Sequence, residues 1–349
     1  MINLSYCCIN LTLQKKFGYT TNRTMRKATF EEKGVPYASF LAKQNVCDLL
    51  KILEWNVANN IKGFRITSNL FPWASEYSLV DLPDWEEISR TLKSCGDLAK
   101  ERNLRLSAHP GEFVKLASTK EAVVLSSIKD LEIHSEIFDV MGLEASHWNP
   151  LNIHVGMKYS EETSKRFVES FSRLSENLQK RLVVENDDKE SSYSVLKLYE
   201  DIYQEIDTPI TFDYFHHDFH DDGWSTEEAF LLASSTWDTT PLFHYSESKA
   251  LHEGINVNPR AHSDYLRILP EDFGFDIYLD LEAKQKNLHF YYWRINMLVT
   301  FNRNGFNLFT AENSSVTIKT SEQNFNDILS LFLDLSDKEK KKIRRVRFE

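Results

Sequence analysis

Residues 182–214, LVVENDDKESSYSVLKLYEDIYQEIDTPITFDY, contain the repeating unit that decides the fold. Two short runs rich in β-branched and apolar residues, 182–186 and 210–214, flank a segment at 191–205 whose apolar residues recur three and four positions apart. Such short runs are typical of buried strands, and the wider spacing is typical of an amphipathic helix. The stretch therefore predicts a strand, a helix and a second strand.

The same alternation extends in both directions along the chain. Six further short runs predict strands, at 2–7, 63–67, 104–108, 151–155, 242–246 and 276–281. Additional segments of helical period lie at 85–102, 121–142 and 161–180. Eight strands alternating with helices predict an α/β fold, a (β/α)₈ TIM barrel. An open doubly wound sheet gives a similar pattern, but no glycine-rich phosphate loop follows the first strand.

The end of the chain falls outside the eightfold pattern. The chain of 349 residues is long enough for two ordinary domains or for one large barrel with additions. Because there is no internal repeat and no low-complexity linker, we predict one barrel domain over 1–304. Residues 305–349 are predicted to form a C-terminal extension with a basic tail, DKEKKKIRRVRFE, at 337–349.

Composition argues against several classes of protein. No run reaches the roughly 18 apolar residues of a membrane span, and the N-terminus lacks signal-peptide features, so we predict a soluble intracellular protein, cytoplasmic or nucleoid/nuclear. The four cysteines form no CxxC pair, which argues against a zinc knuckle or a disulfide framework. A net charge of −11 argues against a protein that simply coats nucleic acid, but not against an enzyme that acts on DNA. No segment indicates an obligate protein partner.

Histidines and acids follow the predicted strands. Seven of eight such residues lie at or just past the C-terminal end of a strand, where barrel enzymes place their chemistry, and His262 lies in the connection between strands seven and eight. The eight candidates are His109, His154, Glu185, Asp213, His216, His244, His262 and Glu282. Imidazoles and carboxylates crowded in this way would repel or stay unpaired unless cations held them. Zinc, manganese or iron in a multinuclear site fits these ligands.

Several other polar residues are predicted to have no metal role. His217 is expected to point away from His216. His220 is expected to belong to a solvated loop, together with Asp218, Asp221 and Asp222. The histidines without a strand-end partner are predicted to lie at the surface or to be hydrogen-bonded within the core. They are His134, His147, His252 and His289.

The motifs around these residues resemble those of the ultraviolet damage endonuclease family, a barrel related to the endonuclease IV type of abasic-site nuclease. They cover residues 3 to about 290 in the family's order: YCCINLTL, TTNRTMR, HPGEFVKLAS, NIHVG, VVENDD, FDYFHHDF, HYSES, AHSDYL and LDLEAKQK. The resemblance implies up to three metal ions, usually manganese, with zinc or another divalent metal as the alternative. The implied ligands are the same eight residues, with Glu185, Glu282 and His244 central to catalysis.

The resemblance also implies a substrate and a set of DNA contacts. The reaction would be hydrolysis of the phosphodiester on the 5′ side of a pyrimidine photoproduct in damaged double-stranded DNA. Tyr6 and Asn10 match family positions that bear on the damaged DNA. Glu112 and Phe113 stand at the positions that probe the bases opposite the lesion.

Two positions depart from the family pattern. Glu112 and Phe113 replace a glutamine and a tyrosine; a phenylalanine still stacks on bases, but a carboxylate beside DNA is unfavourable. Leu242 replaces a lysine that the family modifies to a carbamate near the metals. One ion is therefore expected to bind more weakly than the others, unless Asp264 or Glu247 supplies the missing oxygen.

Three functions are compatible with these patterns. The first is a metal-dependent DNA repair endonuclease that nicks 5′ to a lesion. The second is a metal-dependent oxidase or isomerase acting on a small molecule or peptide, which the acidic charge and Glu112 favour and the AHSDYL motif disfavours. The third is a catalytically silent relative that binds DNA or a partner, against which the presence of all eight candidate ligands argues.

Overall fold

The computed structural model describes residues 1–254 and 256–288, together with two short strands further along the chain. The chain divides into two compact units, Met1–Lys286 and Asn287–Glu349. In the second unit the described strands are Phe309–Thr310 (β9) and Val316–Thr317 (β10), an antiparallel pair. The predicted domain boundary after residue 304, the basic tail at 337–349 and His289 lie outside the described residues.

All eight predicted strands are present in the first unit. They are β1 (Ile2–Tyr6), β2 (Gly63–Ile66), β3 (Arg105–Ala108), β4 (Leu151–Ile153), β5 (Leu182–Glu185), β6 (Ile210–Thr211), β7 (Leu242–Tyr245) and β8 (Ile277–Leu281). Several are shorter than the apolar runs that predicted them. The run at 210–214 shows why: its last three residues lie outside the strand, because Asp213 is the N-cap of a helix that begins at Tyr214.

The strands form a closed parallel barrel. One sheet has the order β2-β3-β4-β5-β6 and the other the order β1-β8-β7, with every pair in both sheets parallel. A parallel bridge between Cys7 and Arg65 joins β1 to β2, and a second between Asp213 and His244 joins β6 to β7. These two bridges complete a ring in sequence order, which confirms the predicted (β/α)₈ barrel.

Helices connect the strands, as the alternation predicts. They are α1 (Leu11–Phe17), α2 (Lys27–Ala58), α3 (Trp85–Glu101), α4 (Glu121–Val140), α5 (Glu161–Phe171), α6 (Glu176–Gln179), α7 (Val195–Leu198), α8 (Gln204–Ile206), α9 (Tyr214–His217), α10 (Thr226–Ser235) and α11 (Ala250–Glu253). Short 3₁₀ turns lie at Ala74–Glu76 and Leu79–Asp81, and a π turn at Tyr199–Tyr203 links α7 to α8. Among the described residues, no helix has the length and apolar character that crossing a membrane requires.

Local sequence explains where several helices start and bend. The segment at 161–180 is two helices rather than the one predicted, because Ser175 caps a new start by accepting a hydrogen bond from the backbone of Leu178. A full capping box of Ser225 and Glu228 opens α10. In α2 the backbone kinks at Gly34, which has a φ of 60°, two residues before Pro36.

A buried arginine lies at the N-terminal end of the barrel, away from the polar strand ends. Arg105, the first residue of β3, is fully buried and donates to the carbonyls of Trp148, Thr240 and His147 at 2.5 to 2.8 Å. Its guanidinium also lies about 5 Å from the ring centre of Tyr278. The polar residues at the C-terminal ends of the strands line the opposite end of the barrel.

Candidate metal centre

The C-terminal ends of the strands bring most of the predicted ligands together. Seven of the eight form three overlapping groups, in each of which the donor atoms lie within 4.8 Å of one another. The groups are His109 with Glu185 and His244, His154 with Glu185 and His216, and Asp213 with His244 and Glu282. The eighth candidate, His262, is adjacent, with its Nδ1 3.7 Å from Oε2 of Glu282.

Glu185 is the hub of the cluster. Its Oε2 lies 3.1 Å from Nε2 of His109 and 3.1 Å from Nδ1 of His244. Its Oε1 lies 3.4 Å from Nδ1 of His216 and 3.7 Å from Nε2 of His154. Four imidazoles from four different strand ends therefore face a single, almost fully buried carboxylate.

Glu282 forms the second carboxylate position, directly after β8. Nη1 of Arg65 donates to its Oε1 at 2.5 Å, and Nδ1 of His244 lies 3.5 Å from the same oxygen. The other oxygen faces His262. Arg65 therefore fixes one oxygen of Glu282 and leaves the other directed towards a histidine.

Asp213 is held by the start of a helix. Its Oδ1 accepts hydrogen bonds from the backbone amides of Phe215 at 2.7 Å and His216 at 3.0 Å. Its Oδ2 is buried and has no hydrogen-bond partner among the described residues. The cap thus fixes the carboxylate and leaves one oxygen available.

Unsatisfied polar atoms test whether the cluster fits metal ions. Within the described part of the chain, Oδ2 of Asp213 and Nδ1 of His262 are buried without a hydrogen-bond partner. Native proteins rarely leave such groups unpaired. A divalent cation accepts electron pairs from these atom types, so the donor set fits a metal centre.

The charges of the cluster shift its pKa values. Burial lowers the pKa of His244, but Glu185 and Glu282 outweigh that effect and raise it to about 9. Burial likewise lowers the pKa of His216, and Asp213 and Glu185 raise it to about 9. For Glu185 burial raises the pKa, yet His244, His154 and His109 together bring it well below its ordinary value. The centre thus holds the anionic Glu185 against two imidazoles, His216 and His244, that gain protons readily, whereas burial lowers the pKa of His109.

Three residues of the centre were missed by sequence reasoning. Asn152, in β4, donates from its amide to Oε2 of Glu185. Arg65, in β2, contacts Glu282 as described, and Asp187 has an oxygen 3.3 Å from Nδ1 of His154. For Asn152 and Arg65 the available signal is a lone polar residue inside an otherwise apolar strand. Asp187 carries no such signal, because NDDKE at 186–190 reads as a polar loop.

The residues predicted to contact DNA divide into two groups. Phe113 is 84% exposed, and Glu112 beside it is also exposed. Tyr6 and Asn10 are fully buried: the Tyr6 hydroxyl donates to Oδ1 of Asn56 at 2.7 Å and accepts from Nδ2 of Asn10 at 2.9 Å. In this structure Tyr6 and Asn10 therefore belong to the core beneath the first loop and offer no side-chain atoms to a duplex.

The histidines outside the centre mostly have the expected structural roles. His134, His147 and His252 contact Asp130, Asp238 and Glu247 respectively, each at 3.7 Å or less. The acids Asp218, Asp221 and Asp222 are exposed, as expected of a loop.

The prediction for one histidine, His220, is wrong. His220, expected in the solvated loop, is buried, with its Nδ1 3.3 Å from the carbonyl of Asp187. It lies three residues beyond the end of α9, where the loop folds back onto that carbonyl. His217 is buried too, beside the ring of Phe212.

The residue at the position of the family's modified lysine has an apolar side chain. Leu242 begins β7 and is buried. Of the two acids considered as substitutes, Glu247 already has partners on both oxygens: the amides of Arg267 and Ile268 donate to Oε1, and Nε2 of His252 lies 2.7 Å from Oε2. Asp264 is partly exposed.

A basic surface follows the first strand. Residues 1–30 contain five lysines and arginines and no acid, although the whole chain has a net charge of −11. Arg23 is paired with Asp48 at 2.7 Å, whereas Lys15, Lys16 and Phe17 in α1 are exposed. Within this segment Tyr6 pairs with Leu281, the residue before Glu282. A count of charge along the chain would have found this surface.

Comparisons with known proteins agree with the motif-based resemblance. The family model described as "UV-endonuclease UvdE" matches residues 2–301. The UV DNA damage endonuclease of Clostridium perfringens (strain 13 / Type A) is 30% identical over 295 residues, which cover 82% of this chain and 68% of that protein. The UV-damage endonuclease of Schizosaccharomyces pombe is 35% identical over 301 residues, which cover 81% of this chain and 48% of that protein.

A solved structure is similar over most of the fold. The crystal structure of SacUVDE matches this chain with a TM-score of 0.73 and 31% identity, and covers 87% of this chain and 100% of that one. The match to the Schizosaccharomyces pombe protein spans only about half of that protein's length. The similarity therefore concerns the barrel and its strand ends.

Proposed function

Because the chain belongs to the UV-endonuclease UvdE family, we propose that it is a metal-dependent DNA repair endonuclease that nicks the backbone on the 5′ side of ultraviolet photoproducts. The observation that carries the metal dependence is the convergence of four imidazoles on Glu185, with unpaired donor atoms around them. Its substrate is damaged double-stranded DNA, and its place of action is inside the cell, where DNA lies.

The metal ligands are proposed to be the eight strand-end residues, holding up to three ions. Imidazole and carboxylate donors together suit manganese, with zinc or another divalent metal as the alternative. Bound ions supply Lewis acidity, which polarises a phosphate and lowers the pKa of water. Glu185 and His244 each belong to two of the donor groups, so they set the spacing between neighbouring sites. Arg65 restrains Glu282 so that its second oxygen stays directed into the centre.

The surroundings of the centre support a DNA substrate. Lys15 and Lys16, exposed in the helix that follows β1, offer positive charge for phosphates. The exposed Phe113 ring, in the loop after β3, offers a surface on which an unstacked base can stack. Since stacked bases hide a lesion, a protein of this function must open the duplex, and an exposed aromatic ring suits that step.

A plasmid assay tests the proposed function. The manganese-loaded protein is expected to convert an ultraviolet-irradiated supercoiled plasmid to the nicked form and to spare an untreated plasmid. Chelation of the metal should abolish nicking, and manganese should restore it. Equal cutting of both plasmids, or of neither, would contradict the proposal, and an absence of cutting would turn attention to small-molecule substrates.

Phe113 gives a prediction about recognition. We expect Phe113→Ala to weaken binding to an irradiated duplex by about 1–3 kcal/mol, the range for a lost contact between a base and an aromatic ring. Metal content should not change, because no candidate ligand is altered. The measurement is a binding titration with irradiated and untreated duplexes of the same sequence.

The control for this variant is Phe40→Ala. Phe40 is also an exposed phenylalanine, but it lies on α2 and stacks on Tyr37. Its replacement should leave DNA binding unchanged. A similar loss of affinity for irradiated DNA in both variants would show that Phe113 has no specific role.

A further inference from the structure

The Asp187 carboxylate lies beside Nδ1 of His154, the ring nitrogen that is not directed towards Glu185. One oxygen of Asp187 is 3.3 Å from Nδ1 of His154, and the side chain is 18% exposed. The second oxygen, Oδ2, and Nδ1 of His154 are both buried and make no hydrogen bond with any part of the chain that the structure describes. The two groups are therefore close, largely removed from water, and without another partner at these atoms.

The backbone of Asp187 is anchored on both sides. Its amide donates to the carbonyl of Tyr193 at 2.8 Å, and its own carbonyl lies 3.3 Å from Nδ1 of the buried His220. It also follows Glu185, the last residue of β5, by only two positions. These contacts fix where the Asp187 carboxylate can lie relative to the His154 ring.

The other ring nitrogen of His154 faces the centre. Its Nε2 lies 3.7 Å from Oε1 of Glu185, and His154 shares a donor group with Glu185 and His216. A neutral imidazole carries a hydrogen on only one of its two nitrogens. If that hydrogen is on Nδ1 and is donated to Asp187, Nε2 presents its lone pair to the centre.

We propose that Asp187 is a positioning residue of the metal centre, which selects the tautomer of His154 that binds a cation through Nε2. The proposal rests on the metal dependence proposed above. Carboxylates that accept a hydrogen bond from a metal-bound histidine fix the orientation of its ring and increase its basicity. Asp187 acts through His154, so the cation does not require an oxygen of Asp187 as a ligand.

The neighbouring residue is a matched control. Asp188 has the same side chain but pairs with Arg260 at 3.0 Å, and among the described residues it belongs to none of the three donor groups. A general effect of removing a negative charge from this loop would appear in both variants. An effect through His154 would appear only when Asp187 is changed.

Manganese titration of the metal-free full chain, without DNA, tests the proposal. In Asp187→Ala we expect the affinity for the ion held by His154 to fall by about 10–100-fold, with the number of ions unchanged. Asp187→Asn keeps an oxygen that accepts a hydrogen bond, so it should recover most of the affinity. Asp188→Ala should bind as the unmodified protein does.

A second measurement reports the tautomer itself. With zinc as a diamagnetic ion, proton–nitrogen correlation spectra should place the hydrogen of His154 on Nδ1 in the unmodified protein and in Asp187→Asn. This readout also covers the case in which Asp187→Ala fails to fold. A hydrogen on Nε2 in the unmodified protein would overturn the proposal.

Other outcomes would overturn it as well. They are an unchanged affinity in Asp187→Ala, an equal loss in Asp188→Ala, and the loss of a whole equivalent of metal in both Asp187 variants, which would make Asp187 a ligand. Because no DNA is used, failure of plasmid nicking would leave a positive result standing. A protein that binds no metal in any form would instead remove the proposed function.

Discussion

Glu185→Ala is expected to lose more than one equivalent of bound manganese and to cut irradiated plasmid about 10³-fold or more slowly. The reason is that the Glu185 carboxylate faces four imidazoles and belongs to two of the three donor groups. Its removal therefore weakens two metal positions together. The loss of several kcal/mol of metal-derived stabilisation of the transition state corresponds to a rate change of this size.

Metal analysis and nicking assays on the purified variant check this expectation. Glu185→Gln is the size-matched companion, since it keeps the shape of the side chain and removes its charge. Glu190→Ala is the control, because Glu190 is an exposed acid five residues further along the same loop. A Glu185→Ala protein that is folded and keeps its full metal content would contradict the shared-carboxylate arrangement.

Manganese affinity is expected to rise steeply between pH 6.5 and pH 8.5. In the metal-free protein the pKa values of His216 and His244 are raised to about 9, so both imidazoles hold protons at neutral pH. A metal ion binds only the unprotonated form, and binding must release these protons. With two protons released, the affinity rises by up to about 100-fold for each pH unit, and the rise ends above pH 9.

Stability of the metal-free protein should change with pH in the opposite direction. A raised pKa means that these two histidines stabilise the folded state fully below their ordinary pKa of about 6.5, and that this contribution is lost as the pH rises through 9.

The affinity prediction is checked by calorimetric titration of the metal-free protein with manganese under argon. Titrations in buffers of different ionisation enthalpy give both the affinity and the number of protons released. An affinity that does not vary over this range would show that neither histidine is protonated before metal binds.

Much of the fold could be predicted because its causes are local. Each strand is a short apolar run, such as LVVE at 182–185, and the helices between strands repeat their apolar residues at helical spacing. The candidate ligands could be found for a related reason: the C-terminal ends of parallel barrel strands converge, so a histidine such as His109 directly after a strand has few other places to lie.

The residues that escaped prediction depend on contacts between distant parts of the chain. The partner of Arg65 is Glu282, 217 residues later, and no local pattern links them. Tyr6 matched a family position near DNA, yet its burial depends on how the first loop packs over Asn56 in α2. His220 lies in a polar stretch and is buried only because the loop folds back onto the carbonyl of Asp187.

The two seams that close the barrel pass through the metal centre. One seam is the bridge between Asp213 and His244, where the amide of His244 donates to the carbonyl of Phe212; the other is the bridge between Cys7 and Arg65, next to Glu282. An ion held by Asp213 and His244 would join β6 to β7 across the first of these seams, so metal binding would stabilise the closed barrel. Chains without metal would open at this seam more often and be cleaved more readily by proteases, so that metal supply would set how much of the protein survives as well as how active it is.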